Sequence, residues 1–191
     1  DVYKRQILIR RLPSSWSPPH FRDLADYRAH VEQLVAMKAI ADAGSLSWAI
    51  RLSERFPTVE VRVFDAQLTV DDTLLAVALT RALMVSDAID DAPDIGVDAI
   101  DASLWTAARF GTEARLVDPA NGGIASFWDV ARDLLDRLRP ALARLGDEDF
   151  VAEGIARIRT DGTGAERQRR AYAEHGTAGL RDLYRASTTA I

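Results

Sequence analysis

Apolar residues alternate with polar ones in two stretches of this chain and recur every third or fourth residue in most of the rest. The clearest alternation runs from Thr58 to Asp65 (TVEVRVFD) and predicts a β-strand. It places Val59, Val61 and Val63 on one face, with Thr58, Glu60, Arg62 and Phe64 on the other. Ser47 to Arg51 also reads as extended, with Trp48 and Ile50 sharing a face and Arg51 opposite, and Ser53 to Pro57 connects the two stretches. Ala114 to Val117 predicts a short strand entering the turn Asp118-Pro119-Ala120-Asn121-Gly122-Gly123.

Helical spacing begins after the Pro-rich turn at Ser17 to Pro19. His20 to Met37 carries Phe21, Leu24, Tyr27, Val31, Leu34 and Val35 along one side. Thr69-Val70-Asp71-Asp72 resembles a capping box that opens a helix through about Asp87. That helix is apolar around most of its girth, which predicts a central position. A further helix spans 98 to 110. Ser126 caps an amphipathic helix striped by Phe127, Val130, Leu134, Leu138, Leu142 and Leu145, and Gly146 ends it. Helices at about 148 to 159, 165 to 175 and 178 to 186 follow. The pattern is α+β: a few antiparallel strands, mostly before Val70, packed with a predominantly helical C-terminal region. So few strands make no stable sheet alone and need partners, which suggests that an N-terminal portion is missing.

Composition narrows the function classes. The chain has 191 residues, 48% hydrophobic and 28% charged, enough for one sizeable core. A formal net charge of −5 gives no support for a nucleic-acid partner. The absence of cysteine excludes disulfides and thiolate metal sites. The longest aliphatic run, Leu74 to Leu79, is far short of the ~18 residues that a membrane span needs. No signal-peptide order is present, so the cytoplasm is the default location. Asp1 to Gln6 (DVYKRQ) enters no predicted element and reads as a non-native leader, leaving 7–191 as the C-terminal part of a single domain whose N-terminal half is missing. Lysine occurs only at Lys4 and Lys38, so a phosphate contact must come from arginine, backbone N–H or a metal.

Most side-chain constellations have a plain structural reading. The histidines at 20, 30 and 175 have no metal-ligand spacing and suit surface or capping roles. Neither a P-loop nor a Gly-x-Gly-x-x-Gly turn is present. Asp71 and Asp72 sit where helix capping explains them better than metal binding. The acidic run Asp87, Asp90, Asp91, Asp94, Asp98 and Asp101 reads as a solvated edge. Glu166-Arg167-Gln168-Arg169-Arg170 follows Gly162-Thr163-Gly164 at a helix start, which suits an anion, although a surface arginine cluster explains it as well. Glu60 and Arg62 would lie roughly 6.6 Å apart on one strand face. That spacing would let the carboxylate hold Mg²⁺ and the guanidinium a phosphoryl oxygen. The competing reading is a cross-strand ion pair of small energetic weight.

In order along the chain, several stretches resemble the C-terminal half of the bacterial carboxylate–amine ligases, the family of glutamate–cysteine ligase type 2. They are Pro18-Pro19-His20-Phe21, Ile40-Ala41-Asp42-Ala43-Gly44, Trp48-Ala49-Ile50-Arg51 and Phe56 to Asp65, followed by Trp105 to Gly111, Leu116 to Pro119 and Gly162 to Arg169. The resemblance covers the chain from about Ile7 to its end. Glu-x-Arg followed by Asp also resembles a strand of glutamine synthetase, whose fold the family is understood to share. The resemblance therefore implies a partial glutamine-synthetase-like domain.

It also implies an activity: ATP-dependent, Mg²⁺-dependent joining of a carboxylate, nominally the glutamate γ-carboxyl, to an amine, nominally cysteine, through an acyl phosphate. Glu60 would be a Mg²⁺ ligand, and Arg62 a catalytic contact to the transferring phosphoryl group and the bound nucleotide. Arg51 would bind the substrate carboxylate or phosphate, with Arg167 and Arg169 as further nucleotide contacts. Small-molecule substrates are the implied partners, with no nucleic acid or membrane, and a homodimer is admitted. Leu52 stands where the family often has proline, and the family's Glu-x-Glu strand and His-containing segment have no counterpart. This chain alone is therefore expected to be inactive. A non-catalytic assembly relative and a guanidino-kinase-like phosphotransferase remain the rival readings.

Overall fold

A computed structural model describes residues 13–86 and 93–189. The expectations that rest on Asp1 to Gln6, Ile7, Asp87, Asp90 and Asp91 lie outside those residues. The described elements are β1 (Ser15–Trp16), α1 (Leu24–Ala36), β2 (Ser47–Trp48), β3 (Ile50–Leu52), β4 (Val59–Val61), α2 (Val70–Met84), α3 (Val97–Phe110), β5 (Arg115–Val117), β6 (Ile124–Ser126), α4 (Phe127–Leu145), α5 (Glu148–Asp161) and α6 (Gly164–Thr189). Among the described residues the strands form three two-stranded pairs: β1–β2 parallel, β3–β4 antiparallel and β5–β6 antiparallel. This is the α+β class that the sequence predicts.

Local chemistry sets the helix ends. The side chains of Asp23, Thr69 and Ser126 accept from the backbone N–H groups of Asp26, Asp72 and Asp129 and so cap α1, α2 and α4. Gly146 closes α4 in the left-handed region at φ 74°, where a side chain would be strained. Gly176, at φ 60° and ψ −143°, breaks α6 near the gap predicted between its two segments. The turn after β5 is tied by Asp118, whose carboxylate accepts from the Ala120 N–H at 2.8 Å and the Asn121 side-chain amide at 2.6 Å.

Two cores form. In one, Leu75, Ala78 and Ala82 of α2 meet Leu138, Ala141 and Leu142 of α4 and Val151 of α5. In the other, Val31, Ile40, Leu46 and Trp48 pack with Phe21, Tyr27, Leu34 and Val35. Ring centroids there lie 5.1 Å apart for Phe21–Tyr27 and 5.7 Å for Phe21–Trp48. His30 joins this cluster 5.9 Å from Trp48, a packing role rather than the surface or capping one expected.

The structure differs from the sequence pattern at three further places. Ladder pairing in the predicted strand is confined to Val59–Val61, and a bend at Ala49 separates β2 from β3. Trp48 is buried while Ile50 is exposed, because Ala49 donates to the Trp16 carbonyl and accepts from the Arg62 N–H. α2 is central on one side only, since Val70, Leu74 and Val77 are exposed on the other.

Candidate functional site

The β3–β4 hairpin brings three of the predicted residues together. Its register pairs Arg51 with Glu60, Ile50 with Val61 and Leu52 with Val59. Side chains of directly opposed residues share a face, so one face carries the charged pair and the other four aliphatic groups. Arg51 Nε donates to Glu60 Oε2 at 2.8 Å. Arg51 Nη1 donates to the Leu46 carbonyl at 3.0 Å and also to the Gly44 carbonyl. Arg62 Nη1 reaches the same Leu46 carbonyl at 2.9 Å. Leu46 is 1% exposed, so its buried side chain fixes the oxygen that both cations share.

Two guanidiniums face one carboxylate, and the cluster carries one net positive charge. The hydrogen bond from Arg51 holds the Glu60 carboxyl below its ordinary value, with the Arg51 and Arg62 charges adding to the effect. Glu60 is therefore ionised at neutral pH. The Arg51 side chain is 13% exposed and that of Glu60 38%, so the arginine is the inward member. The arrangement can receive an anion at the outer guanidinium, Arg62, while Arg51 and Glu60 keep each other in place.

Mg²⁺ asks for near-octahedral oxygen ligation. Among the described residues no group of three His, Asp or Glu side chains converges, and Glu60 brings a single carboxylate already engaged with Arg51. The described residues do not by themselves make a seat for the ion.

The other two candidates lie elsewhere. Arg167, on α6, is turned onto Asp72 of α2, whose second oxygen accepts from Arg157 of α5 at 3.0 Å. Asp72 is 8% exposed and joins three helices, whereas the sequence suggests capping; the cap is Thr69, which accepts from the Asp72 N–H. Burial pushes its carboxyl up, but hydrogen bonds from Thr69, Arg157 and Arg167 outweigh that and hold it below the ordinary value. Arg169 lines a groove of about 540 Å³ between the end of α3 and α6, beside Gln168, Tyr172 and Tyr184.

Sequence reasoning missed the Leu46 and Gly44 carbonyls because a backbone acceptor has no residue signature. It missed the Asp72 clasp because its partners lie 85 and 95 residues away. No helix among the described residues is long and apolar enough to cross a membrane.

Comparison with known proteins places these residues in a family. The sequence profile of the glutamate-cysteine ligase family 2 matches residues 3–186. A Salinispora arenicola protein provisionally named glutamate–cysteine ligase 2 is 42% identical over 171 residues, 87% of this chain and 45% of that protein. A Mycobacterium sp. (strain KMS) protein provisionally named glutamate–cysteine ligase 2-2 is 40% identical over 181 residues, 90% of this chain and 49% of that protein. A Nocardia farcinica protein provisionally named glutamate–cysteine ligase 2-1 is 37% identical, covering 92% of this chain and 48% of its own length. The chain spans about half the length of these curated relatives.

Proposed function

This chain belongs to the glutamate-cysteine ligase family 2, and on that premise we propose that it supplies the cationic part of an ATP-dependent carboxylate–amine ligase. The observation that carries the reading is the convergence of Arg51, Glu60 and Arg62 around one buried carbonyl. In such a ligase the carboxylate, nominally the glutamate γ-carboxyl, attacks the γ-phosphorus and releases ADP. The amine, nominally that of cysteine, then displaces phosphate from the acyl phosphate. Negative charge gathers on the phosphoryl oxygens, so groups fixed before the reaction stabilise it most.

Arg62 suits the phosphoryl contact. It is exposed, and its hydrogen bond to Leu46 leaves other guanidinium N–H groups to donate. Arg51 is the inward, anchored cation and sets the position of Glu60 more than it meets substrate. ATP and Mg²⁺ are the cofactors of this reading, with Glu60 as one carboxylate of a metal seat whose other ligands lie beyond the described residues. Arg169, in its groove, remains a nucleotide contact in the proposal, whereas Arg167 serves the α6 N-terminus through Asp72.

The test is made in the Salinispora arenicola relative at the positions aligned with Glu60 and Arg62. Replacing the arginine by alanine is expected to lower kcat for amide formation about 10²-fold, the scale for losing one preorganised charge donor. Unchanged amide formation in both the arginine and glutamate variants would reduce the hairpin cluster to a structural ion pair and overturn the reading. Phosphate transfer without amide would favour the kinase rival.

A further inference from the structure

Asn121 is the only asparagine in the chain, and a glycine, Gly122, follows it. Both are exposed at the tip of the turn between β5 and β6. Gly122 stands at φ 73°, with nothing within 4 Å of the place a Cβ would occupy. It therefore has no side chain to crowd its own backbone nitrogen. The Asn121 side chain ties the turn with both ends of its amide. Nδ2 donates to Asp118 Oδ2 at 2.6 Å, and Oδ1 accepts from the Gly123 N–H at 2.7 Å. Asp118 is 4% exposed, and its carboxylate also accepts from the Ala120 N–H at 2.8 Å. Its main chain closes the same turn: the carbonyl accepts from the Gly122 N–H and the N–H donates to the Gly123 carbonyl, both at 2.8 Å. A carboxylate at position 121 would keep the acceptor role and lose the donor.

We infer that Asn121 is a site of spontaneous deamidation and that its conversion unlocks this turn. The Gly122 nitrogen loses its proton and bonds to Asn121 Cγ. The Cγ–Nδ2 bond breaks, and ammonia leaves with a proton as a succinimide closes. Water then opens that ring at either carbonyl, giving aspartate or isoaspartate. The Gly123 N–H polarises the Asn121 side-chain carbonyl and stabilises the oxyanion formed on attack. The Gly122 N–H must first leave the Asp118 carbonyl, so the reaction proceeds through brief local opening of an exposed turn.

Each product alters the turn for a stated reason. Aspartate sets a carboxylate against that of Asp118 where an N–H donor stood, and like charges so placed repel. Isoaspartate also inserts a methylene into the main chain, which spoils the spacing of the antiparallel pair Val117–Ile124. The change stays local. The Val117 N–H is held separately by Ser103 Oγ of α3 at 2.9 Å, and α4 keeps its own cap at Ser126. The modification thus releases the turn while the helices on either side remain folded. None of this depends on the ligase reading.

The experiment incubates the chain for several weeks at neutral pH and physiological temperature. Intact mass and peptide mapping follow the amide-to-acid conversion, which a single asparagine makes unambiguous. Hydrogen exchange follows the Asp118 and Gly122 amides. A progressive mass gain confined to the Asn121 peptide is expected, with loss of protection at both amides in the converted chain and unchanged far-ultraviolet circular dichroism. Asn121→Gln, whose longer side chain must close a larger ring, is expected to lose the mass gain. Asn121→Asp is expected to lack the protection from the outset. A constant mass would overturn the inference, as would a gain that persists in Asn121→Gln. Full protection in both the converted chain and Asn121→Asp would overturn the unlocking.

Discussion

Between Leu134 and Ile158 the chain packs an apolar stripe into a core shared with α2, whereas between Ile50 and Phe64 it leaves most of its aliphatic side chains in solvent. Both regions have regular apolar patterns and ordered turns. They differ in where the partners lie. α4 and α5 are consecutive, joined through Gly146, and meet an inner stripe of α2 that the same chain provides. The hairpin finds within the described residues a partner only for its charged face. A helix satisfies its own backbone and needs one neighbour for one stripe; a strand needs neighbours at its edges and over its faces. The same length of polypeptide can therefore complete a helical core while leaving a sheet unfinished.

Substitutions in the two regions sharpen this contrast. Leu138 is 1% exposed at the centre of the helical core. Leu138→Ala is expected to cost about 3 kcal/mol in denaturant unfolding. Val77→Ala, on the solvent side of α2, should stay within about 0.5 kcal/mol. Equal costs would erase the distinction between the inner and outer stripes.

The next effect is that of the clasp. Asp72→Ala leaves Arg157 and Arg167 facing each other without a counter-charge and should cost about 2 kcal/mol, less than a fully buried pair because both arginines keep some exposure. The Asp72 carboxyl is held below its unfolded value. Its contribution is therefore complete above about pH 4, the unfolded carboxyl value, and fades as pH falls through the lower folded value. Unfolding midpoints measured from pH 6 to pH 3 should fall less steeply in Asp72→Ala than in the parent chain. Identical slopes would show that Asp72 does not drive the acid response.

The smallest effect belongs to the hairpin. Glu60→Gln should leave the melting temperature unchanged, because the carboxylate is solvent-accessible and exposed pairs stabilise little. A clear drop would mean that the pair holds the hairpin together rather than serving a ligand.

Legibility in the sequence follows the same division. Helix spans, the Thr69 and Ser126 caps and the Gly146 stop were readable because their causes lie within a turn or two of the residues concerned. The Arg51–Glu60 pair was half readable: alternation gave the facing of each strand, and a cross-strand ion pair was one of the two meanings open to Glu60. The split of Trp48 from Ile50 was not, since it depends on Ala49 bonding to Trp16 and Arg62 at once. The all-round apolarity of α2 predicts a central position. Its two stripes show instead a helix with separate tasks on opposite sides.

The oxygen shared by Arg51 and Arg62 has a mechanical consequence. Because one peptide unit anchors both cations, their spacing follows the main chain and not the torsions of two long side chains. A cavity made beneath Leu46 would shift the two together, like the jaws of a calliper moved by its frame. Remodelling that hydrophobic floor would then move both guanidiniums without touching a single charged residue.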